Sequence, residues 1–348
     1  MAGREDLVNR FASAIYQELE PLDRPPIDTL FIGGGTPTQL SLGDLHQFLS
    51  RLSNCFAIQP NAELTVEANP EDITPEKLNL LVDHGVNRVS LGVQSFDDKK
   101  LKALERSHTG DAAKTIICQT ADRIPNVSID LIFGAPCETA IEFESDLTTA
   151  FSLPIKHLST YALTFEKGTP FWNRQYHGEI NAVDERVEIE MYQAAQTVAA
   201  SHGAHQYEVS SFAREGFRCR HNIAYWQGRG WYAAGPGAAR FVNGRREVNH
   251  RSTTTYLNLI ENGKNHIAES ESISIEQYAR ERLAFGIRML DGVNLQQLNQ
   301  ETGFDIENHF ASVFAKLTDQ GLIERNTSHL KLTRQGVLFA DTVASEFL

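Results

Sequence analysis

A regular alternation of two sequence patterns fills the first 163 residues of this 348-residue chain. Amphipathic stretches with helical period alternate with short runs of apolar and β-branched residues. This alternation predicts a parallel sheet whose strands are joined by crossover helices. The predicted strands are Thr29–Ile32, Glu63–Val66, Arg88–Val93, Val127–Ile132 and His157–Leu163. The predicted helices lie near residues 4–20, 43–53, 75–84, 97–104, 111–122 and 139–152.

Most predicted strands run into polar or glycine-rich tails. The tails include Gly33-Gly34-Gly35-Thr36, Glu67-Ala68-Asn69-Pro70, Gln94-Ser95 and, after Asp130, Gly134-Ala135-Pro136. Because the carboxyl ends of parallel strands meet at one edge of a sheet, where such folds bind ligands, the tails predict a binding site there. The glycines let backbone amides approach a ligand, although a tight turn alone would also use them. No P-loop lysine follows.

Four charged or polar side chains lie at or just past strand ends: Glu67, Gln94, Arg106 and Asp130. A carboxylate in such a place can bind a ribose diol or an ammonium group, and an arginine can bind a carboxylate through two hydrogen bonds. Together they suit a zwitterionic ligand that carries a sugar. Each one alone is more often a helix cap or a surface charge.

The sequence pattern changes in the second half of the chain. A loop-like stretch at 164–182 precedes a long predicted helix near 184–202, and residues 205–245 are rich in Gly, aromatic and Arg residues without a clear period. Residues 275–348 predict a separate small domain. Its predicted elements are helices near 275–289, 295–301 and 306–319, a hairpin through 321–333, and a last helix near 334–346. Helix–helix–hairpin order is typical of a winged helix.

Composition excludes several classes of function. The net charge of −13 disfavours a surface that tracks nucleic-acid phosphates. No apolar run approaches the length of a membrane span and no signal-peptide pattern opens the chain, so we expect a cytoplasmic protein. The four cysteines, Cys55, Cys118, Cys137 and Cys219, are too far apart in sequence to form a CxxC or cluster motif. Buried small side chains are their simplest interpretation.

The segment His221-Asn222-Ile223-Ala224-Tyr225-Trp226 combines an imidazole with aromatic surface. Such a segment could bind a flat macrocycle, with the imidazole on its metal. The alternative is a structural histidine in an aromatic segment.

Taken in order, these motifs resemble one family. They are Gly33–Thr38, Glu67–Pro70, Gly92-Val93-Gln94-Ser95-Phe96, Ile129–Ile132, Tyr207–Ser210, Cys219–Asn222 with Tyr225-Trp226, and Gly235–Ala238. The chain resembles the HemW-type heme chaperones and the related oxygen-independent coproporphyrinogen III dehydrogenases along nearly its whole length. The resemblance implies a partial (β/α)6 radical S-adenosylmethionine (SAM) barrel at 1–165, a family-specific extension at 166–270 and the winged-helix-like domain at 271–348.

The resemblance also implies ligands for particular residues. SAM would contact Gly34, Gly35, Thr36, Glu67, Gln94, Arg106, Asp130 and the backbone of Ala162. Heme would contact His221, Asn222, Tyr225 and Trp226, with His221 as the candidate ligand of the iron and Cys219 as the alternative. A neutral imidazole needs no deprotonation and is the better candidate. No catalytic residue is implied.

Two departures from the family pattern stand out. Relatives carry a CxxxCxxC motif, whose thiolates hold a [4Fe–4S] cluster, on a first strand that this sequence lacks. We expect either a truncated form of a normal protein or a paralogue without a cluster, and in both cases an exposed edge at Thr29–Ile32. In addition, Ala239 stands where the family usually has His.

Three functions compete. The first is heme trafficking, in which the chain binds heme and passes it to an acceptor protein. The second is oxidative decarboxylation of porphyrinogen propionates, which requires the cluster and would be inactive without it. The third is nucleic-acid binding by the C-terminal domain, against which the net charge of −13 counts.

Overall fold

The protein is described here by a computed structural model that covers residues 5–326 and 328–348. The chain forms two compact units, each built from separate segments. The barrel unit comprises Thr29–Leu42 and Glu63–Cys219. The accessory unit comprises the residues up to Asp28, Gly43–Ala62 and Arg220–Leu348. The domain boundaries expected at 165 and 270 stay predictions.

The barrel unit is organised around a curled seven-stranded sheet in the order β1-β2-β3-β4-β5-β7-β6. Its strands are β1 Pro26–Ile32, β2 Ala57–Ala68, β3 Arg88–Gln94, β4 Val127–Phe133, β5 His157–Ala162, β6 Ala204–Glu208 and β7 Ser211–Arg214. The pairs β2/β3, β3/β4 and β4/β5 are parallel, which confirms the α/β class. β1 is an edge strand. β7 runs antiparallel to β5. It also runs antiparallel to β6, because a two-residue turn joins β6 and β7.

Helices alternate with these strands and continue into the accessory unit. In chain order they are α1 Glu5–Leu19, α2 Leu42–Leu52, α3 Pro75–Asp83, α4 Asp98–Ala103, α5 Gly110–Ala121, α6 Ala140–Ser152, α7 Pro170–Tyr176, α8 Glu185–Ser201, α9 Arg220–Trp226, α10 Thr253–Glu261, α11 Ile275–Gly286, α12 Leu295–Thr302, α13 Ile306–His309, α14 Ala311–Asp319, α15 Arg334–Leu338 and α16 Ala340–Ser345. Hydrogen bonds to capping side chains fix where several helices begin. Thr74 caps α3, whose first residue is a proline, and Thr139 forms a capping box with Glu142 at α6.

The two faces of the sheet differ in chemistry because side chains alternate along each strand. One face is apolar, with Val89, Leu91, Ile129 and Leu131 fully buried. The other face is polar and follows the strand register. It carries Thr65, Glu67, Arg88, Ser90, Ser128, Asp130, His157 and Ser159. A ligand of the sheet therefore meets a polar inner face.

The accessory unit contains a small antiparallel sheet in the order β10-β9-β8, formed by β8 Ala239–Val242, β9 Arg245–Asn249 and β10 Ile267–Ser272. Helices α1 and α10 pack together through Ala14, Tyr256 and Leu257. The buried Glu18 carboxylate accepts hydrogen bonds from the Tyr256 hydroxyl at 2.6 Å and from the Gly235 amide at 2.9 Å. These bonds fix the loop that begins at Gly235.

The C-terminal part of the accessory unit has the expected winged-helix-like order. Its three-stranded sheet, in the order β11-β13-β12, consists of β11 Val293–Asn294, β12 Ile323–Arg325 and β13 His329–Leu332. The helix expected at 306–319 is interrupted at Phe310, which caps α13 and begins α14. The predicted loop at 164–182 contains the short helix α7, which Thr169 caps. Among the described residues no helix combines the length and apolarity needed to span a bilayer.

Candidate functional site

The glycine-rich turn after β1 is bound directly to β2. The backbone amide of Gly34 donates a hydrogen bond of 3.1 Å to Oε2 of Glu67. A Cβ atom on Gly33 would lie 2.4 Å from the same oxygen, so a larger residue at this position would have to displace the carboxylate. Gly34 itself has φ +85°, which favours glycine. By contrast, a Cβ atom on Gly35 would meet no atom within 4 Å.

The ends of β2 and β3 meet beside this turn. Nδ2 of Asn69 donates to Oγ1 of Thr36 at 3.0 Å. A Cβ atom on Gly92 would come within 3.0 Å of Nε2 of Gln94 and 3.2 Å of Oδ1 of Asn69, so the two amides converge over a glycine. Gln94 has φ +66°, an uncommon conformation for a residue with a side chain. Backbone strain of this kind is concentrated at functional sites.

The negative charges of two carboxylates at this edge are poorly compensated by their surroundings. Burial raises the pKa of Asp130 to about 6, although a hydrogen bond from Ser159 and the charge of Arg88 act in the opposite direction. Burial also raises the pKa of Glu67, against the hydrogen bond from Gly34 and the charge of Arg88. Glu67 adds to the rise at Asp130, so the two carboxylates repel each other. A cationic or diol-bearing ligand would relieve that repulsion.

Arg106 lies on the loop between α4 and α5. Its Nε is buried and has no hydrogen-bond partner within the described residues. The loop is held by the buried His108, whose Nε2 lies 3.0 Å from the Val93 carbonyl and whose Nδ1 lies 3.1 Å from Glu71. An unsatisfied guanidinium nitrogen on a fixed loop suits an anionic group of a ligand.

The segment after Gln94 is held by a buried charge cluster that the sequence analysis missed. Asp146 accepts hydrogen bonds from Oγ of Ser95 at 2.6 Å and from the amide of Phe96 at 2.8 Å. Lys100 donates to Asp146 at 3.2 Å and also contacts Glu138. Asp146 comes from α6 with no recognisable motif, so only its burial within the fold reveals its role.

The carboxyl edge of the sheet therefore brings together most of the predicted SAM-contacting residues. Direct contacts or electrostatic coupling connect Gly34 with Glu67, and Glu67 with Asp130. Ala162 ends β5 and is paired in register with Phe133 of β4. Gly35 lies on the loop after β1 and Arg106 on the loop after α4, and their ligand contacts stay predictions.

The polar inner face continues as a buried chain of hydrogen bonds. Nδ1 of His157 lies 2.8 Å from Oγ of Ser128, and its Nε2 lies 2.9 Å from the hydroxyl of Tyr207. That hydroxyl accepts from the amide of Cys219 at 3.2 Å. The Cys219 thiol is buried 3.5 Å from Oε1 of Glu63. Burial, assisted by Arg88, holds the pKa of His157 well below its ordinary value, so His157 is neutral at neutral pH.

The candidate heme segment forms α9 of the accessory unit. His221 and Tyr225 lie on one face, four residues apart, with ring centroids 5.1 Å apart in an edge arrangement. Both side chains and that of Asn222 are partly exposed. Trp226 lies on another side of the helix, where the guanidinium of Arg288 sits 4.8 Å from its ring. The structure thus brings His221 and Tyr225 together, and separates Trp226 from them.

An aromatic residue outside the predicted segment extends the same face. The ring of Trp231 lies 4.6 Å from that of Tyr225. Its Nε1 donates to the Ala239 carbonyl at 2.8 Å, and its backbone exchanges hydrogen bonds with Phe241. Trp231 lies in the stretch without sequence period, and only its closeness to an aromatic motif could have drawn attention to it.

The cysteines do not form a cluster site. All four lie within the described residues, with Cys118 and Cys137 exposed and Cys219 buried. Over the described ranges, no group of three or more His, Cys, Asp or Glu side chains is arranged to hold a metal ion.

Comparison with known protein families matches two parts of the sequence. Residues 3–150 match the radical SAM superfamily, and residues 273–339 match the HemN C-terminal domain. The second match coincides with the winged-helix-like part described above.

Individual relatives match nearly the whole chain. The heme chaperone HemW of Bacillus subtilis is 33% identical over 98% of this chain and 92% of its own length. The heme chaperone HemW of Mycobacterium tuberculosis is also 33% identical, over 98% of this chain and 86% of its own length. Among solved structures, coproporphyrinogen III oxidase (HemN) from Escherichia coli, a radical SAM enzyme, matches with a TM-score of 0.87. It is 19% identical over all of this chain and 84% of its own, which shows a common fold.

Proposed function

Since this chain belongs to the HemW family of heme chaperones, we propose that it binds heme on α9 and SAM at the carboxyl edge of its sheet, and that it delivers heme to acceptor proteins. The observation that carries the heme part is the pairing of His221 and Tyr225 on one partly exposed helix face, 5.1 Å apart. A cytoplasmic location belongs to the same proposal, and the acceptors are heme-binding proteins whose identity is open.

The choice of His221 as the iron ligand follows from burial and protonation. The alternative, Cys219, is fully buried in the barrel unit, with its thiol directed to Glu63. A thiol must also lose a proton before it ligates iron, whereas a neutral imidazole need not. An imidazole on a partly exposed helix face binds iron in its neutral form.

The SAM part is supported by groups that need a partner. Glu67 and Asp130 have raised pKa values because burial leaves their charges poorly compensated. The buried Nε of Arg106 has no acceptor within the described residues. A ligand that combines an ammonium group, a ribose diol and a carboxylate would satisfy all three groups.

A [4Fe–4S] cluster does not fit the cysteines of this sequence. The chain has no CxxxCxxC motif, and its four cysteines are dispersed over 165 positions of sequence, from Cys55 to Cys219. When bound in radical SAM proteins, such a cluster supplies an electron for reductive cleavage of SAM. We derive no reaction step through it.

Hemin titration of the Soret band tests the heme part. Wild type is expected to form a saturable complex that His221→Ala weakens at least tenfold, because a lost axial ligand removes a bond rather than a contact. His205→Ala, an exposed histidine on β6, is the matched control and should leave binding unchanged. Equal binding by wild type and His221→Ala would remove His221 from the site.

Calorimetry with SAM tests the second part. Arg106→Ala should weaken SAM binding about tenfold or more, because a charge-assisted hydrogen bond contributes about 1.5–3 kcal/mol. Arg123→Ala, which removes a surface contact with Asn79, should have no effect. Equal SAM affinity for the two variants would contradict the placement of the carboxylate at Arg106.

The competing function is oxidation of coproporphyrinogen III. The solved enzyme structure that suggests this function is only 19% identical in sequence to this chain. Its likeness therefore shows a common fold alone. The relatives at 33% identity over nearly the whole chain are named heme chaperones. An anaerobic assay with SAM and reductant should leave coproporphyrinogen III unchanged, and measurable decarboxylation would favour the enzyme.

A further inference from the structure

The chain has three tryptophans, Trp172, Trp226 and Trp231, and their environments differ in ways that bear on ligand binding. We propose that Trp231, rather than Trp226 of the His-Asn-x-x-Tyr-Trp segment, is the tryptophan that contacts the heme macrocycle. The inference rests on the proposed function, since it takes His221 as the heme site. It adds Trp231, outside the segment, to the proposed heme contacts and removes Trp226, within the segment, from them.

Helix geometry separates Trp226 from the heme face. Successive residues of an α-helix are rotated by about 100°, so residues four apart lie about 40° apart and residues five apart about 140° apart. His221 and Tyr225 therefore share a face, as their ring contact shows. Trp226 lies on another side, where its ring stacks under Arg288 and lines a cavity of about 370 Å³ together with Met289.

The polar atoms of the two indoles lead to the same distinction. Nε1 of Trp226 is buried and has no hydrogen-bond partner among the described residues. Because that atom is buried, the polar edge of the Trp226 ring faces the protein interior and is not open to a ligand at the helix surface. Nε1 of Trp231 already donates to the Ala239 carbonyl at 2.8 Å, so its remaining surface is apolar.

Trp231 is also held in one orientation. Its amide donates to the Phe241 carbonyl at 2.8 Å and its carbonyl accepts from the Phe241 amide at 3.0 Å. Its ring packs 5.6 Å from the Phe241 ring and 4.6 Å from the Tyr225 ring. A fixed, partly exposed aromatic surface next to the candidate ligand suits a flat macrocycle, because little side-chain entropy is lost on binding.

The direct test uses the intact chain with 5-fluorotryptophan at its three tryptophans. Zinc protoporphyrin IX is diamagnetic and shifts nearby nuclei by its ring current, which falls off steeply with distance. The ¹⁹F resonance of Trp231 is expected to shift, whereas those of Trp172 and Trp226 should stay in place. Single Trp→Phe variants assign the signals. A shift at Trp226 with none at Trp231 would overturn the inference.

A hemin titration provides an independent measurement. Trp231→Leu should raise the dissociation constant of hemin about five- to tenfold, because the loss of one aromatic contact weakens binding by about that factor. Trp231→Phe and Trp226→Leu should stay within about twofold of wild type, because the first keeps a ring and the second lies off the face. If Trp231→Phe loses as much hemin affinity as Trp231→Leu, the hydrogen bond to Ala239 accounts for the loss. The proposed contact between Trp231 and the macrocycle would then be wrong.

Failure of the inference and of the proposed function are distinguishable. If His221→Ala abolishes the hemin complex while Trp231→Leu binds like wild type, heme binds at α9 and only the assignment of Trp231 is wrong. If wild type forms no complex, or His221→Ala binds as tightly as wild type, the heme site and the inference fail together.

Discussion

Replacing Asp130 by Asn should stabilise the protein at neutral pH, because the carboxylate is held in an environment that disfavours its charge. Its pKa is raised from 3.8 to about 6 in the fold. A raised folded-state pKa in a carboxylic acid means that stability falls as pH rises between the two values and is constant above them. At one pKa unit per 1.36 kcal/mol, the raised pKa lowers the free energy of unfolding by about 3 kcal/mol at pH 7.5, where the folded carboxyl is ionised. At pH 4.5, where the folded carboxyl is protonated and the unfolded one is mostly ionised, it lowers the free energy of unfolding by about 1 kcal/mol.

Urea denaturation followed by circular dichroism at both pH values measures this effect. Asp130→Asn is expected to gain up to about 3 kcal/mol over wild type at pH 7.5 and about 1 kcal/mol at pH 4.5. The same variant should bind SAM more weakly, since the charge removed is one that the ligand requires. A loss of stability at pH 7.5, or a gain equal at both pH values, would refute the reasoning.

Two further substitutions probe the elements around that edge. Gly33→Ala should weaken SAM binding and lower stability by about 1–3 kcal/mol, because the new Cβ would lie 2.4 Å from the Glu67 carboxylate. Gly35→Ala, where a Cβ meets nothing within 4 Å, is the control for the loss of stability, and an equal loss in the two variants would argue against the contact with Glu67. Asp146→Ala should lower stability by about 3–5 kcal/mol in urea unfolding, because it leaves the buried Lys100 with one carboxylate fewer. A change under 1 kcal/mol would show that the cluster around Lys100 compensates for the loss of Asp146.

Elements with a regular period were predictable from the sequence. The strands β1, β3, β4 and β5 and the helices between them were expected within about three residues, because short apolar, β-branched runs alternate there with amphipathic helical stretches. β2 was expected at 63–66 but begins six residues earlier, at Ala57. The polar members of that pattern, Glu67 and Asp130, were therefore found together with the fold. The winged-helix-like order followed from the order of the predicted helices and the hairpin.

Other features were not predictable because they depend on tertiary contacts. The stretch 205–245 has no period, since β6, β7, α9 and β8 are all short and packed by different neighbours. His108 and Asp146 support the site from a loop and a helix, and nothing in the local sequence marks them. The positive φ of Gln94 is likewise set by its surroundings. Trp226 was named as a heme contact because it belongs to the motif, and a sequence motif does not show which side of a helix a residue occupies.

Imidazole rescue of a cavity variant tests the central claim of this account most directly. His221→Gly removes the proposed iron ligand and leaves space beside Tyr225, whose ring contacts the imidazole in the folded protein. We expect this variant to lose the Soret band and electron paramagnetic resonance spectrum of the wild-type hemin complex, and added imidazole to restore both. A wild-type spectrum in the variant without imidazole would contradict heme ligation by His221.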